Sequence, residues 1–276
     1  MRVATCQFAE TWDTLRNGRI MCRQIAQSAK RGADVVHFHE CALSGYAGLM
    51  ATPQYNWAEL KKATKAVLDQ ARRSKVWVVF GSSHPLTPPH KPHNCLYVAD
   101  DCGRIVDRYD KRFCTGDDLK CYSPGDHYVA FAIKGIVCSC LICYDARFPE
   151  LYRDLARKGV RVVFHSFHNA RRKKGRGIWA KIMVRTLQGH AGINSMWISA
   201  PNSAAPLSSW PSAFITPDGL VESTLTVDRP GVMVKAVDLS KKYYDATGSL
   251  RDVALKGIRN SGKLVRDRRS RDRTCY

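Results

Sequence analysis

Ile136-Val137-Cys138-Ser139-Cys140-Leu141-Ile142-Cys143-Tyr144-Asp145-Ala146-Arg147-Phe148-Pro149-Glu150 is the stretch around which the rest of the chain is arranged. Its first half is a continuous apolar run broken only by small residues, the pattern of a strand buried on both faces. Its second half opens a helix: Pro149 suits a first turn, where no amide donor is needed, and Glu150 complements the positive end of the helix dipole. Leu151, Leu155 and Ala156 continue the apolar stripe, and Gly159 supplies the left-handed residue that ends it. Cys143 therefore falls at a corner where a buried strand becomes a helix, beside amides that no helical carbonyl has claimed. Such a corner can present a nucleophile. An inert, packed thiol is the alternative, and the choice turns on whether the chain supplies a base and an oxyanion donor.

Upstream of this stretch, strands and helices alternate. Val3 to Phe8 reads as a strand, Leu15 to Arg31 as a helix stopped by Gly32, and Asp34 to Glu40 as a strand whose apolar residues end at a carboxylate. Trp57 to Ser74 is a second helix, followed by the strand Val76 to Phe80 and a turn at Gly81-Ser82-Ser83. After the proline-rich loop Pro85 to Pro92, Asn94 to Ala99 and Arg104 to Tyr109 form a hairpin around Asp101-Cys102-Gly103, with Lys111 just past its second strand. Tyr128 to Ile133 is the strand that leads into the central stretch. Downstream come the strand Val160 to Phe164, the helix Trp179 to Gly192, and strands at 195–200, 213–216 and 231–237, with Pro217-Asp218-Gly219 as a turn. Alternating strands and helices with added hairpins fit a layered α/β sandwich better than a plain doubly wound sheet. No linker divides it, so residues 1–255 are expected to form one domain and 256–276 a basic tail.

At 276 residues the chain is long enough to bury about three quarters of its unfolded surface. A hydrophobic content of 45% marks it as globular rather than disordered. No apolar run nears the roughly 20 residues of a membrane span, and Met1-Arg2-Val3-Ala4 lacks a signal-peptide core, so the expectation is a cytoplasmic protein with no membrane partner. The 11 cysteines are odd in number and irregularly spaced, which argues for reduced thiols rather than a disulfide framework. Cys140 and Cys143 form a C-x-x-C inside an apolar run with no second pair, so no metal site is expected there. The net charge of +20 gathers partly in Arg171-Arg172-Lys173-Lys174-Gly175-Arg176 and in the tail from Lys256. Neither block is interleaved with aromatics, so a solvated face is favoured over nucleic-acid binding.

Glu40, Lys111 and Cys143 share one kind of position, the end of a strand, and strand ends on one edge of a sheet can converge whatever their separation in sequence. A carboxylate can deprotonate a thiol, and a lysine can stabilise thiolate and oxyanion. The surroundings of these residues resemble the signatures of the nitrilase superfamily: Gly32-Ala33-Asp34-Val35-Val36 through Glu40 to Ser44-Gly45-Tyr46, then Tyr109-Asp110-Lys111, then Cys143-Tyr144-Asp145-x-Arg147-Phe148-Pro149-Glu150. Gly81-Ser82, Asn94, Ser123-Pro124-Gly125-Asp126, and Ser212 before Pro217-x-Gly219 are further matches, so the likeness runs from about Val3 to Val237.

The resemblance implies an α-β-β-α sandwich of two mixed sheets packed face to face with helices outside, a homodimer or higher homo-oligomer, and no cofactor or metal. It implies Cys143 as nucleophile, Glu40 as general base, and Lys111 with the Tyr144 amide as oxyanion stabilisers. Asp118 stands where many members carry a second glutamate. His39 replaces a common proline, and Gln188, His190 and Ile193 replace an Arg-rich stretch of which Asn194 is the matching residue. His168-Asn169 is similar to N-carbamoyl-amino-acid amidohydrolases, where the position of Arg147 can meet a carboxylate; a structural ion pair for Arg147 and a structural role for His168 are the alternatives. Tyr46 and Trp210 complete the candidate substrate contacts, and loop geometry around Trp57, His168 and Trp210 is expected to set specificity. The expected activity is hydrolysis of a small linear amide or ureido compound. A nitrilase, or a binding protein that uses its basic surface on an anionic partner, are the other readings.

Overall fold

A computed structural model describes residues 1–49, 55–170 and 177–274, so the basic block 171–176 lies outside the described residues. The first half of the chain runs β1 (Arg2–Gln7), α1 (Thr14–Lys30), β2 (Val35–Phe38), α2 (Trp57–Ser74), β3 (Trp77–His84), β4 (His93–Ala99), β5 (Ile105–Asp110) and α3 (Asp118–Cys121). The second half runs β6 (Phe131–Ile133), β7 (Ile136–Ile142), α4 (Pro149–Arg157), β8 (Val162–Ser166), α5 (Gly177–Asn194), β9 (Trp197–Ala200), β10 (Ala213–Ile215), β11 (Val221–Thr224), β12 (Gly231–Ala236), α6 (Leu250–Leu255) and α7 (Arg268–Arg271). Among the described residues the strands form two six-stranded sheets, ordered β12-β1-β2-β3-β4-β5 and β11-β10-β9-β8-β7-β6. Each has a parallel centre and antiparallel edges.

The period-2 alternation of each strand builds the layers. On β1, β2 and β3, Val3, Val35 and Val79 face the other sheet and share one core cluster with Cys138, Cys140 and Ile142 of β7. Their neighbours Ala4, Cys6, Val36, Phe38, Val78 and Phe80 face outward onto Met21 and Ile25 of α1 and Leu60, Ala63, Val67 and Ala71 of α2, spaced at helical intervals. Helices α4 and α5 cover the second sheet with Leu151, Leu155, Met183 and Leu187. Each such buried aliphatic side chain contributes roughly 1.5–3 kcal/mol. The result is the expected α-β-β-α sandwich.

One polar thread crosses the apolar interface between the sheets. Burial holds the His37 imidazole well below its ordinary pKa, with His165 and His39 adding to the effect, so the ring is neutral. Ser166 Oγ donates to the Phe38 carbonyl (2.7 Å) and therefore accepts from His37 Nε2 (2.8 Å). Nδ1 must then accept from Ser199 Oγ (2.9 Å), which in turn accepts from Thr5 Oγ1 (2.7 Å). Every member is buried and partnered, in one direction only, as a buried network requires.

Several boundaries differ from the sequence reading. Gly81-Ser82-Ser83 is not a turn: β3 continues through it to His84. Glycine stands there because a Cβ would lie 2.3 Å from the His39 carbonyl oxygen and 2.4 Å from the Cys41 nitrogen. The strand expected from Tyr128 starts at Phe131, since the Val129 carbonyl takes the Ser139 hydroxyl instead of a ladder partner. The strand expected from Ser195 starts at Trp197, because Ser195 takes a positive φ of 52° that breaks the extended run. Between Cys143 and Pro149 the chain forms a short 3₁₀ helix, Cys143–Arg147, before α4 begins. Gly159 ends α4 with φ 75°, as expected. Among the described residues no helix is long and apolar enough to cross a membrane.

Candidate active site

Glu40 lies two residues past β2, fully buried in the backbone that presses against Gly81. Its amide donates to the Phe167 carbonyl (3.3 Å), so the end of the first sheet is stitched to the end of β8 in the second. Each carboxylate oxygen has its own donors: Oε1 accepts from Asn94 Nδ2 (2.7 Å) and Lys111 Nζ (2.9 Å), and Oε2 accepts from the His168 amide (2.8 Å).

Lys111 follows β5 and is also fully buried. Its amide donates to the Asn94 carbonyl (2.9 Å), and its carbonyl accepts from Gly125 (2.9 Å). A Cβ on Gly125 would sit 2.4 Å from Asp110 Cβ, which is why the Ser-Pro-Gly-Asp loop carries glycine at this point. Nζ donates to Glu40 Oε1 and to Asp118 Oδ2 (2.8 Å). Burial opposes its charge, but Glu40, Cys143 and Asp118 outweigh burial and hold the ammonium well above its ordinary pKa. An ammonium has three donors, and two are committed to carboxylates. The third is uncommitted among the described residues.

Asp118 opens α3. Oδ2 also accepts from the Thr115 amide (3.0 Å), and Oδ1 from the Tyr46 hydroxyl (2.6 Å). Burial raises its pKa, but Lys111 and the Tyr46 and Thr115 donors prevail, so it stays ionised below the usual carboxylate range.

Cys143 directly follows β7 with φ 46°, a left-handed conformation that non-glycine residues adopt at a cost of about 1–3 kcal/mol and that clusters at functional sites. It is half-buried, whereas Cys138 and Cys140 are fully buried in the core. Burial first, and Glu40 second, push the Cys143 thiol above its ordinary pKa despite Lys111. The resting sulfur is a thiol with the Glu40 carboxylate beside it. Asp145, two residues on, fixes the corner. Its Oδ2 accepts from the Ile142 amide (2.9 Å) and the Tyr109 hydroxyl (2.8 Å), and its Oδ1 from the Phe113 amide (2.9 Å). It thereby ties the segments carrying Lys111 and Cys143 together, and burial lifts its pKa to about 6.

A cavity of about 200 Å³ opens on Cys143, lined by Tyr144, Arg147, Asn169, Trp179 and Trp210 among others. Arg147 lies over the Trp179 ring, 4.5 Å from its centroid, and among the described residues it makes no carboxylate ion pair, contrary to the structural-pair reading. Asn169 Oδ1 and Trp210 Nε1 are buried without partners among the described residues. Tyr46 is engaged with another residue of the site, and His168 makes the contacts of its structural alternative. Tyr46 serves Asp118, and His168 stacks on Tyr46 (4.7 Å) with Nε2 donating to Glu10 Oε1 (3.0 Å). Trp57 stacks on Tyr55 (4.6 Å) and lines other cavities, away from Cys143.

Sequence reasoning passed over Glu10. Its carboxylate also takes Ser203 Oγ and lies 3.9 Å from His39 Nε2. Burial raises its pKa, but His168, His39 and Ser203 bring it down to about 2. Glu10 anchors the imidazole whose own amide holds Glu40. Its place three residues beyond β1 was the available signal, since a carboxylate ending an apolar strand is what marked Glu40.

The chain is similar to several known proteins. A 2-oxoglutaramate amidase of Bacillus subtilis is 30% identical over 142 residues, covering 51% of this chain and 54% of the relative. The omega-amidase NIT2 of Mus musculus is 27% identical over 153 residues, covering 52% and 55%. The chain thus spans about half the length of the curated relatives it matches. A solved structure of an amidase from Nesterenkonia sp. AN1, with the acetamide moiety of fluoroacetamide added covalently at the active-site cysteine, superposes with a TM-score of 0.73 at 22% identity, covering 85% of this chain and 89% of that one; at this identity the likeness shows the fold. The carbon-nitrogen hydrolase profile matches residues 2–243, a span that holds both sheets and every segment meeting at Cys143, and on that match this chain belongs to the carbon-nitrogen hydrolase family.

Proposed function

We propose that the chain is an amidase that hydrolyses a small linear amide carrying an anionic group. Glu40 takes the Cys143 proton as sulfur attacks the amide carbon, and the oxyanion is held by the third Lys111 donor and the Tyr144 amide. Glu40 then passes the proton to the departing nitrogen, leaving a thioester and ammonia. Water, deprotonated by Glu40, releases the acid and restores the thiol. One water is consumed and one acid and one ammonia leave per cycle. Asp118 orients Lys111 throughout.

The observation that carries this reading is the meeting of Cys143, Glu40 and Lys111 beside a small cavity lined by Arg147, which makes no carboxylate ion pair among the described residues. Support comes from relatives named for amides, one of them 2-oxoglutaramate, an amide with a carboxylate at its other end. The test is ammonia release from amides, ureides and nitriles by wild type and Cys143→Ala; equal rates in the two would sink the mechanism, and acid from nitriles alone would make the enzyme a nitrilase. Arg147→Ala is expected to raise KM about 10-fold or more for a carboxylate-bearing amide and to spare its neutral analogue. Equal effects on both would remove the anionic group from the proposal.

Assembly as a homodimer accords with α5, which exposes Ile178 and Ile193 beside a β10–β11 hairpin that exposes Leu220. Light scattering after gel filtration would decide it. The free thiols at every described cysteine fit a reducing, cytoplasmic setting. We take 1–255 as the catalytic domain and 256–276 as its basic tail.

A further inference from the structure

Away from the cavity, α4 packs against α6 through an unusual set of side chains. Arg153 and Arg157 are one turn apart on α4 and share a face. Arg157 Nε donates to the Leu255 carbonyl at the end of α6 (3.2 Å), which directs this face at α6. Arg251, one turn before Leu255, is largely covered, with 18% of its side chain exposed. Arg259 Nη1 donates to the Ala254 carbonyl (2.7 Å), so its guanidinium returns to the same helix end.

Two carboxylates beside this corner are already engaged. Asp154 serves Arg157 (2.7 Å) and the Tyr128 hydroxyl (2.7 Å), and Asp245 serves Arg251 (2.7 Å). Arg153 makes no ion pair among the described residues, and its Nη1 is sealed from solvent without an acceptor. Burial, then Arg251, Arg157 and Arg259, depress its pKa, so the guanidiniums are near enough to repel one another. A buried donor without a partner costs about 1–3 kcal/mol, and like charges add to that. A bound anion would relieve both. The planar fork of arginine fits the oxygens of a phosphate in pairs, and Lys256 at the end of α6 brings further charge.

We propose that the α4–α6 corner, built from Arg153, Arg157, Arg251 and Arg259, is a binding site for a phosphate group, free or carried by a mononucleotide. It is separate from the Cys143 cavity, and its test does not depend on the hydrolase reading. Full-length protein is titrated calorimetrically with inorganic phosphate and, separately, with adenosine monophosphate, at ionic strength matched with chloride. One saturable site per chain is expected, with affinity lowered at least 10-fold in Arg153→Gln and several-fold in Arg259→Gln, whose exposed position spares the fold. Tighter binding of inorganic phosphate would identify the free ion as the ligand, and tighter binding of the nucleotide would identify a nucleoside phosphate. Circular dichroism without phosphate confirms that each variant is folded. No saturable binding of either probe, or equal affinity in folded wild type and variants, would overturn the site.

Discussion

Replacing Asp118 by Asn tests the division of labour around Lys111. The substitution keeps shape and removes one charge. Asn Oδ1 can still face Lys111 Nζ and the Thr115 amide, while Nδ2 meets the Tyr46 hydroxyl, which turns to accept. Glu40 continues to hold Lys111 protonated, so what is lost is the charge-assisted bond that aims the ammonium. Such bonds contribute about 1.5–3 kcal/mol, equivalent to roughly 10- to 150-fold in rate at about 1.4 kcal/mol per tenfold. If the aimed third donor acts chiefly in the transition state, kcat falls by that factor and KM moves less than about threefold. The pH profile should keep its shape. Asp118 has a depressed pKa, so its ionised form and the stability it contributes are complete above pH 3.8 and lost only as pH falls below that value. Steady-state ammonia release from the best amide, measured from pH 5 to 9 beside a thermal melt, is the assay. A folded Asp118→Asn protein with kcat within about twofold of wild type would refute the orienting role.

Three further outcomes follow. Glu10→Gln should cost about 3 kcal/mol at neutral pH, because the pKa falls from 4.5 to about 2 on folding; that contribution is present above pH 4.5 and fades toward pH 2, so denaturant melts should show the gap to wild type closing as pH drops. The same variant should lose kcat through the His168 amide, an effect that Glu10→Asp partly restores. Brief iodoacetamide treatment followed by peptide mass spectrometry should label Cys143 ahead of the core thiols Cys138 and Cys140, with exposed Cys102 as the reference, and the reverse order would place the nucleophile elsewhere. Gly81→Ala should destabilise by about 1–3 kcal/mol and depress kcat as well, since the new methyl would displace the backbone on both sides of Glu40; unchanged activity and melting temperature would contradict that packing.

What could be read in advance followed from periodicity and abrupt polarity. Strands that alternate toward two apolar layers, and a carboxylate ending one of them, locate Glu40 without coordinates, as the turn chemistry around Pro149 and Gly159 locates the helix behind Cys143. The rest depends on partners far apart in the chain. Gly81-Ser82-Ser83 has the composition of a turn, yet its glycine answers to the His39 and Cys41 backbone across the strand, a crowding no local pattern encodes. Glu10 and His168 lie 158 positions apart, so sequence leaves His168 between a substrate contact and a structural role, and its ring faces Glu10. Tyr46, a candidate substrate contact from sequence, braces Asp118, because a hydroxyl 72 positions away gives no sign of which carboxylate it will find.

The directional thread from Thr5 through Ser199, His37 and Ser166 to Phe38 makes the stacking of the two sheets quantised. Sliding one sheet past the other by a residue shifts it by about 3.3 Å and strands every polar group of the thread in hydrocarbon. Intermediate positions have no bonded state to rest in. Glu40 rides on one sheet and Cys143 on the other, and a misplacement of about 1 Å between reacting groups can cost 100-fold in rate. The thread therefore works as a vernier. A neutral histidine remote from the chemistry sets the coarse alignment, and Asp145 and Asn94 supply the fine one.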